Sequence, residues 1–208
     1  MERSMRADDG EARERRTGES ALLVVDVQRD FLPGGALPVR DGDRVIAPLN
    51  RCLARFAHER RPVFLTRDWH PVDHCSFVAR GGPWPVHCVA GTAGAAFADG
   101  LQLPPDAVVV SKGCLAEVDA YSGFGGTDLA QRLRPRGIRR LVVGGVATDY
   151  CVLQTVLDAR RLEIEVRVMT DAIAAVDVNP GDGQDALQRM SQAGAALVTS
   201  DEVLSSPL

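Results

Sequence analysis

The chain has 208 residues, 45% of them hydrophobic and 25% charged, with a formal net charge of −4. This is enough apolar material for one sizeable core, while the slight acidity gives no electrostatic case for nucleic acid and no apolar run approaches the roughly 20 residues that span a bilayer. The N-terminus lacks the apolar stretch of a secretory signal, and the five cysteines (Cys52, Cys75, Cys88, Cys114 and Cys151) are irregularly spaced without a CxxC pair; reduced thiols in the cytoplasm are the expectation, not disulfides or a zinc cage.

Residues 1–20 are dense in charge of both signs and nearly free of large apolar groups, which reads as a disordered N-terminal tail before a single domain over residues 21–208. Six short runs rich in Val and Leu follow: Ala21–Val27, Pro62–Thr66, Ala107–Ser111, Leu141–Gly145, Glu165–Thr170 and Ala195–Thr199. They do not alternate with polar residues, as suits strands covered on both faces. Helices are predicted between several of them. In Asp43–Glu59, Val45, Ile46, Leu49, Cys52, Leu53 and Phe56 form one apolar stripe, and Thr127–Leu133, Thr148–Arg161 and Gly183–Ala193 are further candidates. Strands alternating with helices predict an α/β fold with a parallel sheet, in which chemistry gathers beyond the carboxyl ends of the strands.

The first strand run carries Asp26, a carboxylate among apolar neighbours, which is costly unless paired. A structural Asp tying down the next loop is the plain alternative. The second run ends in Thr66-Arg67-Asp68-Trp69-His70, and three of the four histidines (His70, His74, His87) and both tryptophans (Trp69, Trp84) fall between Asp68 and Cys88. A carboxylate with imidazoles suits a divalent cation that keeps positions open for water.

The third run ends at Lys112. The chain has 24 basic residues, and Lys112 is the one lysine among them. Lysine is a compact point charge on a thin stem, whereas arginine is a broad fork, so the exception is either an accident of coding or a narrow buried site. The fourth run leads through Gly144-Gly145-Val146-Ala147-Thr148-Asp149-Tyr150-Cys151 into a helix, with Cys151 in its first turn. The positive end of a helix favours thiolate there, though most free cysteines are small core residues, as Cys52 on its stripe is expected to be. Four successive strand ends thus offer Asp, Asp-x-His, Lys and Cys. With backbone N–H groups near Ala147 and Cys151 as oxyanion donors, the set is complete for acyl transfer.

These residues resemble one family. The segments Val25–Phe31, Asp68–Pro71, Trp84–Val89, Lys112-Gly113, Asp119–Phe124 and Gly145–Val152 stand in the order found in the nicotinamidases (pyrazinamidases) of the isochorismatase-like cysteine hydrolases. The resemblance runs from Ala21 to near the end of the chain. It implies a three-layer α/β/α fold with a six-stranded parallel sheet in the order 3-2-1-4-5-6. It implies a catalytic triad of Asp26, Lys112 and Cys151, an oxyanion hole at Ala147 and Cys151, and a divalent metal (Zn, Fe or Mn) on Asp68, His70 and His87. His74 is ranked as an outer-shell or optional ligand. Phe31, Trp84, Tyr121 and Val146 would bind the substrate, and the Val146–Ala147 bond would be cis. The implied reaction converts nicotinamide to nicotinate and ammonia through a thioester, with pyrazinamide a second substrate. The alternative is a related cysteine amidase acting on N-carbamoyl or ureido substrates. A small-molecule substrate is the expected partner, and a homo-oligomer stays open. One tension follows from the strand order: it leaves Lys112 on the outermost strand, away from Asp26 and Cys151, so its segment must curve back or its stem must reach.

Overall fold

The computed structural model describes residues 19–208, so the expected tail over residues 1–18 lies outside the described residues. Its inner boundary is corrected, because Glu19 and Ser20 already belong to the first strand. That strand, β1 (Glu19–Val25), is completely buried from Ala21 to Val25. Leu22 and Val24 point into one core, Ala21, Leu23 and Val25 into the other. This period of two, with apolar residues at every position, is what a strand covered on both faces requires.

The other strands are β2 (Val63–Asp68), β3 (Val108–Lys112), β4 (Ile138–Val146), β5 (Glu165–Ala174) and β6 (Ala196–Val198). All pairings are parallel and the order is 3-2-1-4-5-6. The helices are α1 (Ile46–His58), α2 (Leu129–Leu133), α3 (Leu153–Arg161), α4 (Asp182–Gln192) and α5 (Ser200–Ser205).

Helix α1 buries Leu49, Cys52, Leu53 and Phe56, and with Val203 of α5 it covers one face of the sheet. The other face is covered by Leu129 and Leu133 of α2, Val156 and Ala159 of α3, and Ala186 and Met190 of α4. This is the expected three-layer architecture. Every predicted strand and helix is present, and the ends move by a few residues. Helix α5 was not predicted from sequence. Its capping box was legible all the same: Thr199 accepts from the Glu202 backbone N–H, and the Glu202 carboxylate accepts from the Thr199 N–H. None of the described helices is long and apolar enough to cross a membrane.

The strand order places β1 and β4 side by side at the centre. Their close packing explains a glycine. Gly145 lies at φ +127°, and a Cβ there would fall 2.0 Å from the Val25 carbonyl oxygen.

Candidate active site

The carboxyl ends of β1, β2, β3 and β4 deliver four reactive side chains to one buried point. Asp26 follows β1 at φ +51°, where the chain leaves the sheet. Asp68 is the last residue of β2 and stands in register with Lys112, the last of β3. Beyond β4 come the cis Val146–Ala147 bond and a π-helical turn, Thr148–Val152, that contains Cys151. Such turns are frequent at functional sites.

The stem of Lys112 resolves the tension left by the strand order. It crosses the end of β2, fully buried, and places Nζ 2.9 Å from Asp26 Oδ2, 2.5 Å from Asp68 Oδ1 and 3.4 Å from Cys151 Sγ. Nζ also donates to the Ala120 carbonyl at 3.2 Å. Gly113 then turns the chain away at φ +61°, where a Cβ would meet the His70 ring at 2.4 Å. Arginine would bring a planar fork to a space that holds one ammonium.

One cation here faces three groups that can become anions. Burial pushes Asp26 above the usual carboxylate range, although Lys112 opposes it. Asp68 is also buried, but Lys112 and His70 more than offset this and hold it well below that range. Burial pushes the Cys151 thiol well up; Lys112 opposes this, and Asp26 and Asp68 add to it. The helix-end effect that favours thiolate is opposed here by desolvation and by two neighbouring carboxylates. The Lys112 ammonium is held charged against its own burial by Asp26 and Asp68. The ammonium thus pairs with an ionised Asp68, while burial favours the protonated forms of Asp26 and Cys151. Asp26 is further oriented by Thr66, whose hydroxyl donates to Oδ1 at 2.7 Å. Sequence reasoning did not single out Thr66.

Asp68, His70 and His87 bring their donor atoms within 4.8 Å of one another. His70 Nδ1–H donates to the Gly113 carbonyl at 2.9 Å, which leaves Nε2 facing Asp68 Oδ2 at 3.6 Å. His87 Nδ1–H donates to the Pro85 carbonyl at 2.8 Å, and burial pushes this imidazole toward its neutral form. Each ring therefore keeps one nitrogen free while the other is fixed, as metal-ligating histidines do. The donor set fits a divalent ion. Asp26, Asp68 and Cys151 are equally close together, but the Lys112 ammonium sits among them and supplies the positive charge. His74 lies outside this cluster, and both its nitrogens have other partners. Its Nδ1 accepts from Ser76, its Nε2 contacts the Val118 carbonyl at 3.1 Å, and its ring stacks on His70 at 4.1 Å.

A cleft with about 390 Å³ of free space, part of it open to solvent, leads to these groups. Phe31, Trp84, Tyr121, His87, Ala147 and Cys151 line it. Trp84 Nε1–H donates to the Tyr121 hydroxyl at 3.0 Å, and Tyr150 meets both rings, with centroids 5.1 Å from Trp84 and 5.6 Å from Tyr121. Val146 is a correction: it is buried in the core on the α1 side and does not line the cleft. Trp69 also turns elsewhere, lying under the Arg67 guanidinium at 3.6 Å. Sequence reasoning missed Tyr150, Leu37, Val39 and Val176, which complete the wall. Asp149 fixes Val176 by accepting its N–H at 3.0 Å. A wider groove beside Arg29, Pro33 and Asp99 holds none of the predicted site residues.

The Isochorismatase domain family matches residues 20–202 of the chain. The chain belongs to this family. Within it, the chain is 39% identical over 200 residues to the nicotinamidase of Escherichia coli, covering 86% of this chain and 94% of that one. The crystal structure of the pyrazinamidase of Pyrococcus horikoshii in complex with zinc superposes with a TM-score of 0.84 at 48% identity, over 87% of this chain and 99% of the other. PnC1 from L. infantum, solved in complex with nicotinate, superposes at 0.81 with 36% identity, over 88% and 94%.

Proposed function

We propose that this isochorismatase-family chain is a metal-dependent cysteine amidohydrolase that converts nicotinamide to nicotinate and ammonia, with pyrazinamide a second substrate. The observation that carries the reading is the single ammonium of Lys112 in contact with Asp26, Asp68 and Cys151 at the end of an aromatic cleft. It unites a nucleophile, a base and a carboxylate of the histidine cluster around one charge. An N-carbamoyl or ureido substrate offers no ring for Phe31, Trp84 and Tyr121 to hold, and no ring nitrogen to meet the Asp68/His70/His87 set.

In this mechanism the pyridine ring lies among Phe31, Trp84 and Tyr121, with its carboxamide at Cys151. Asp26 takes the thiol proton, and Sγ attacks the carboxamide carbon. The backbone N–H groups of Ala147 and Cys151 hold the oxyanion. As the tetrahedral adduct collapses, the C–N bond breaks and Asp26 gives its proton to the leaving nitrogen, releasing ammonia. Asp26 then takes a proton from water, hydroxide adds to the thioester carbon, and the C–S bond breaks. Nicotinate leaves and Cys151 recovers its proton. Lys112 keeps charge balanced through each transfer, being the partner of whichever of Asp26 and Cys151 is ionised. Asp68, His70 and His87 would hold a divalent ion, which supplies a Lewis-acidic site for the ring nitrogen.

The test is ammonia release from nicotinamide and pyrazinamide by the purified chain, beside elemental analysis for bound metal. Turnover of both, with about one metal per chain and loss on chelation, is expected. Turnover of an N-carbamoyl amine in preference to nicotinamide would overturn the substrate assignment.

A further inference from the structure

Two polar side chains of the loop after β1, one fully and one partly buried, take no part in the mechanism above, yet both grip the backbone of the histidine cluster. Gln28 is fully buried. Its Oε1 accepts from the Asp68 backbone N–H at 2.7 Å, and its Nε2 donates to the Asp68 carbonyl at 2.8 Å and the Ala95 carbonyl at 2.9 Å. The last β1–β2 pair in register is Val25 with Thr66, and at Asp26 the β1 chain turns out of the sheet. Gln28 therefore replaces the missing strand with a side-chain amide, which offers the same donor and acceptor as a peptide group. Asp68 keeps a ladder partner where β1 no longer supplies one.

Two residues on, Asp30 Oδ2 accepts from the Cys88 N–H at 2.7 Å, and Oδ1 accepts from Ala36 N–H at 3.3 Å. Cys88 directly follows His87 and sits at φ +46°, an unfavourable region for a residue with a Cβ. The same segment is zipped to His70: the His70 N–H donates to the Cys88 carbonyl at 3.0 Å, and the Ala90 N–H to the His70 carbonyl at 2.8 Å. Gln28 thus holds the segment of Asp68 and His70, and Asp30 holds that of His87. A Cβ on Gly94 would lie 2.2 Å from Asp30 Oδ2, so the Asp30 prong packs directly against the Gly94 backbone, and a side chain there would displace it.

We infer that Gln28 and Asp30 form a two-pronged clasp that sets the spacing of Asp68, His70 and His87, and so are positioning residues for the divalent ion. Neither touches the ion or the substrate. The inference rests on the proposed assignment of those three residues as ligands.

The test uses the full chain, stripped and reloaded with Co²⁺, whose visible absorption reports ligand geometry. Apparent affinity is read by competition with a chelator, and the thermal midpoint of the metal-free chain is read alongside. Gln28→Met and Asp30→Ala should each weaken Co²⁺ binding on the order of 10- to 100-fold, the usual effect of losing an outer-shell partner, and alter the absorption bands. Gly94→Ala, which displaces Asp30 without changing it, should reproduce the Asp30→Ala spectrum. Asp30→Asn keeps an acceptor for the Cys88 N–H and should bind within a few-fold of the parent. Parental affinity and spectrum in both Gln28→Met and Asp30→Ala would overturn the clasp. So would a lower thermal midpoint with unchanged cobalt binding, since that marks a merely structural role. If Gln28→Met does not fold, Asp30→Ala and Gly94→Ala decide alone. Asp68→Ala separates the two levels of argument. Undiminished cobalt uptake in that variant would overturn the ligand assignment, and the clasp with it, whereas its loss beside parental binding in the clasp variants removes the clasp alone.

Discussion

Lys112 divides the site into a thiol side and an imidazole side, and the two carboxylates it touches behave in opposite ways. On the thiol side, Asp26 has the ammonium and the Thr66 hydroxyl, and burial still lifts it above the usual range. On the imidazole side, Asp68 has the same ammonium and His70, and is held below that range. Both are buried, and both sit within 3 Å of one nitrogen. The difference lies in the remaining neighbours: the charge of Asp68 works against ionising Asp26, whereas His70 favours ionised Asp68. Beside Cys151, Asp26 can keep a proton or pass it on, as a base must. Beside an imidazole, Asp68 stays ionised, as the proposed metal ligand must.

The largest break in this comparison is removal of the proposed nucleophile. Cys151→Ala should lower ammonia release from nicotinamide by about 10⁴-fold or more, since groups acting as one catalytic unit fail together. The imidazole side should be untouched, with parental metal content by elemental analysis. Lys112→Arg comes next. The charge is kept but the fork cannot occupy a point between Asp26, Asp68 and Cys151, and misplacement of reacting groups by about 1 Å can cost about 10²-fold. A kcat drop of at least that size is expected, with lost metal as well. Full activity would mean that the lone lysine is an accident of composition.

How much of this was legible follows the same division. The strands of the central sheet announce themselves, because Ala21–Val25 and Leu141–Val143 are buried on both faces and carry no polar alternation. Lys112 stood out through its rarity, and Cys151 through the turn that bears it. The setting of Cys151 was partly legible: the resemblance put Asp26 beside it, but only the fold brings Asp68 alongside as well. The wall of the cleft was only half legible. Phe31, Trp84 and Tyr121 came through family resemblance, while Val39 and Val176 arrive from distant loops with no local signature. Tyr150 was within reach, as the residue next to the nucleophile. Thr66 looked like one more strand residue, and its bond to Asp26 exists only once β1 and β2 pair.

Exchanging each carboxylate for its amide sharpens the contrast between the sides. Asp26→Asn should abolish most turnover and leave metal bound, whereas Asp68→Asn should lose metal. Their stabilities should also diverge with pH in the metal-free chain. Asp68 has a depressed pKa, so it contributes stability above the unfolded value near 3.8 that is lost as pH falls through its folded value. Asp26 has a raised pKa, so its contribution is full below 3.8 and is lost as pH rises toward its folded value. Relative to the parent, Asp68→Asn should therefore grow less stable from about pH 3 to pH 6, and Asp26→Asn more stable over the same range. Urea midpoints across that range test it, and parallel curves for the two variants would mean that the carboxylates are equivalent after all.

The smallest effect lies at the cleft rim, where two tyrosines do different things. The Tyr121 hydroxyl accepts the Trp84 indole N–H, and this bond fixes the tryptophan against the cleft. Tyr150 meets the same rings through its face and edge. Tyr121→Phe should therefore release Trp84 and raise KM for nicotinamide severalfold, since one hydrogen bond of about 1 kcal/mol is worth about fivefold. Its kcat should hold, because neither ring touches Asp26 or Lys112. Tyr150→Phe keeps the ring and loses nothing the rim uses, so both constants should stay at parental values. Equal KM increases in the two variants would place the recognition in the hydroxyls, and the edge-on and tilted rings would then be packing alone.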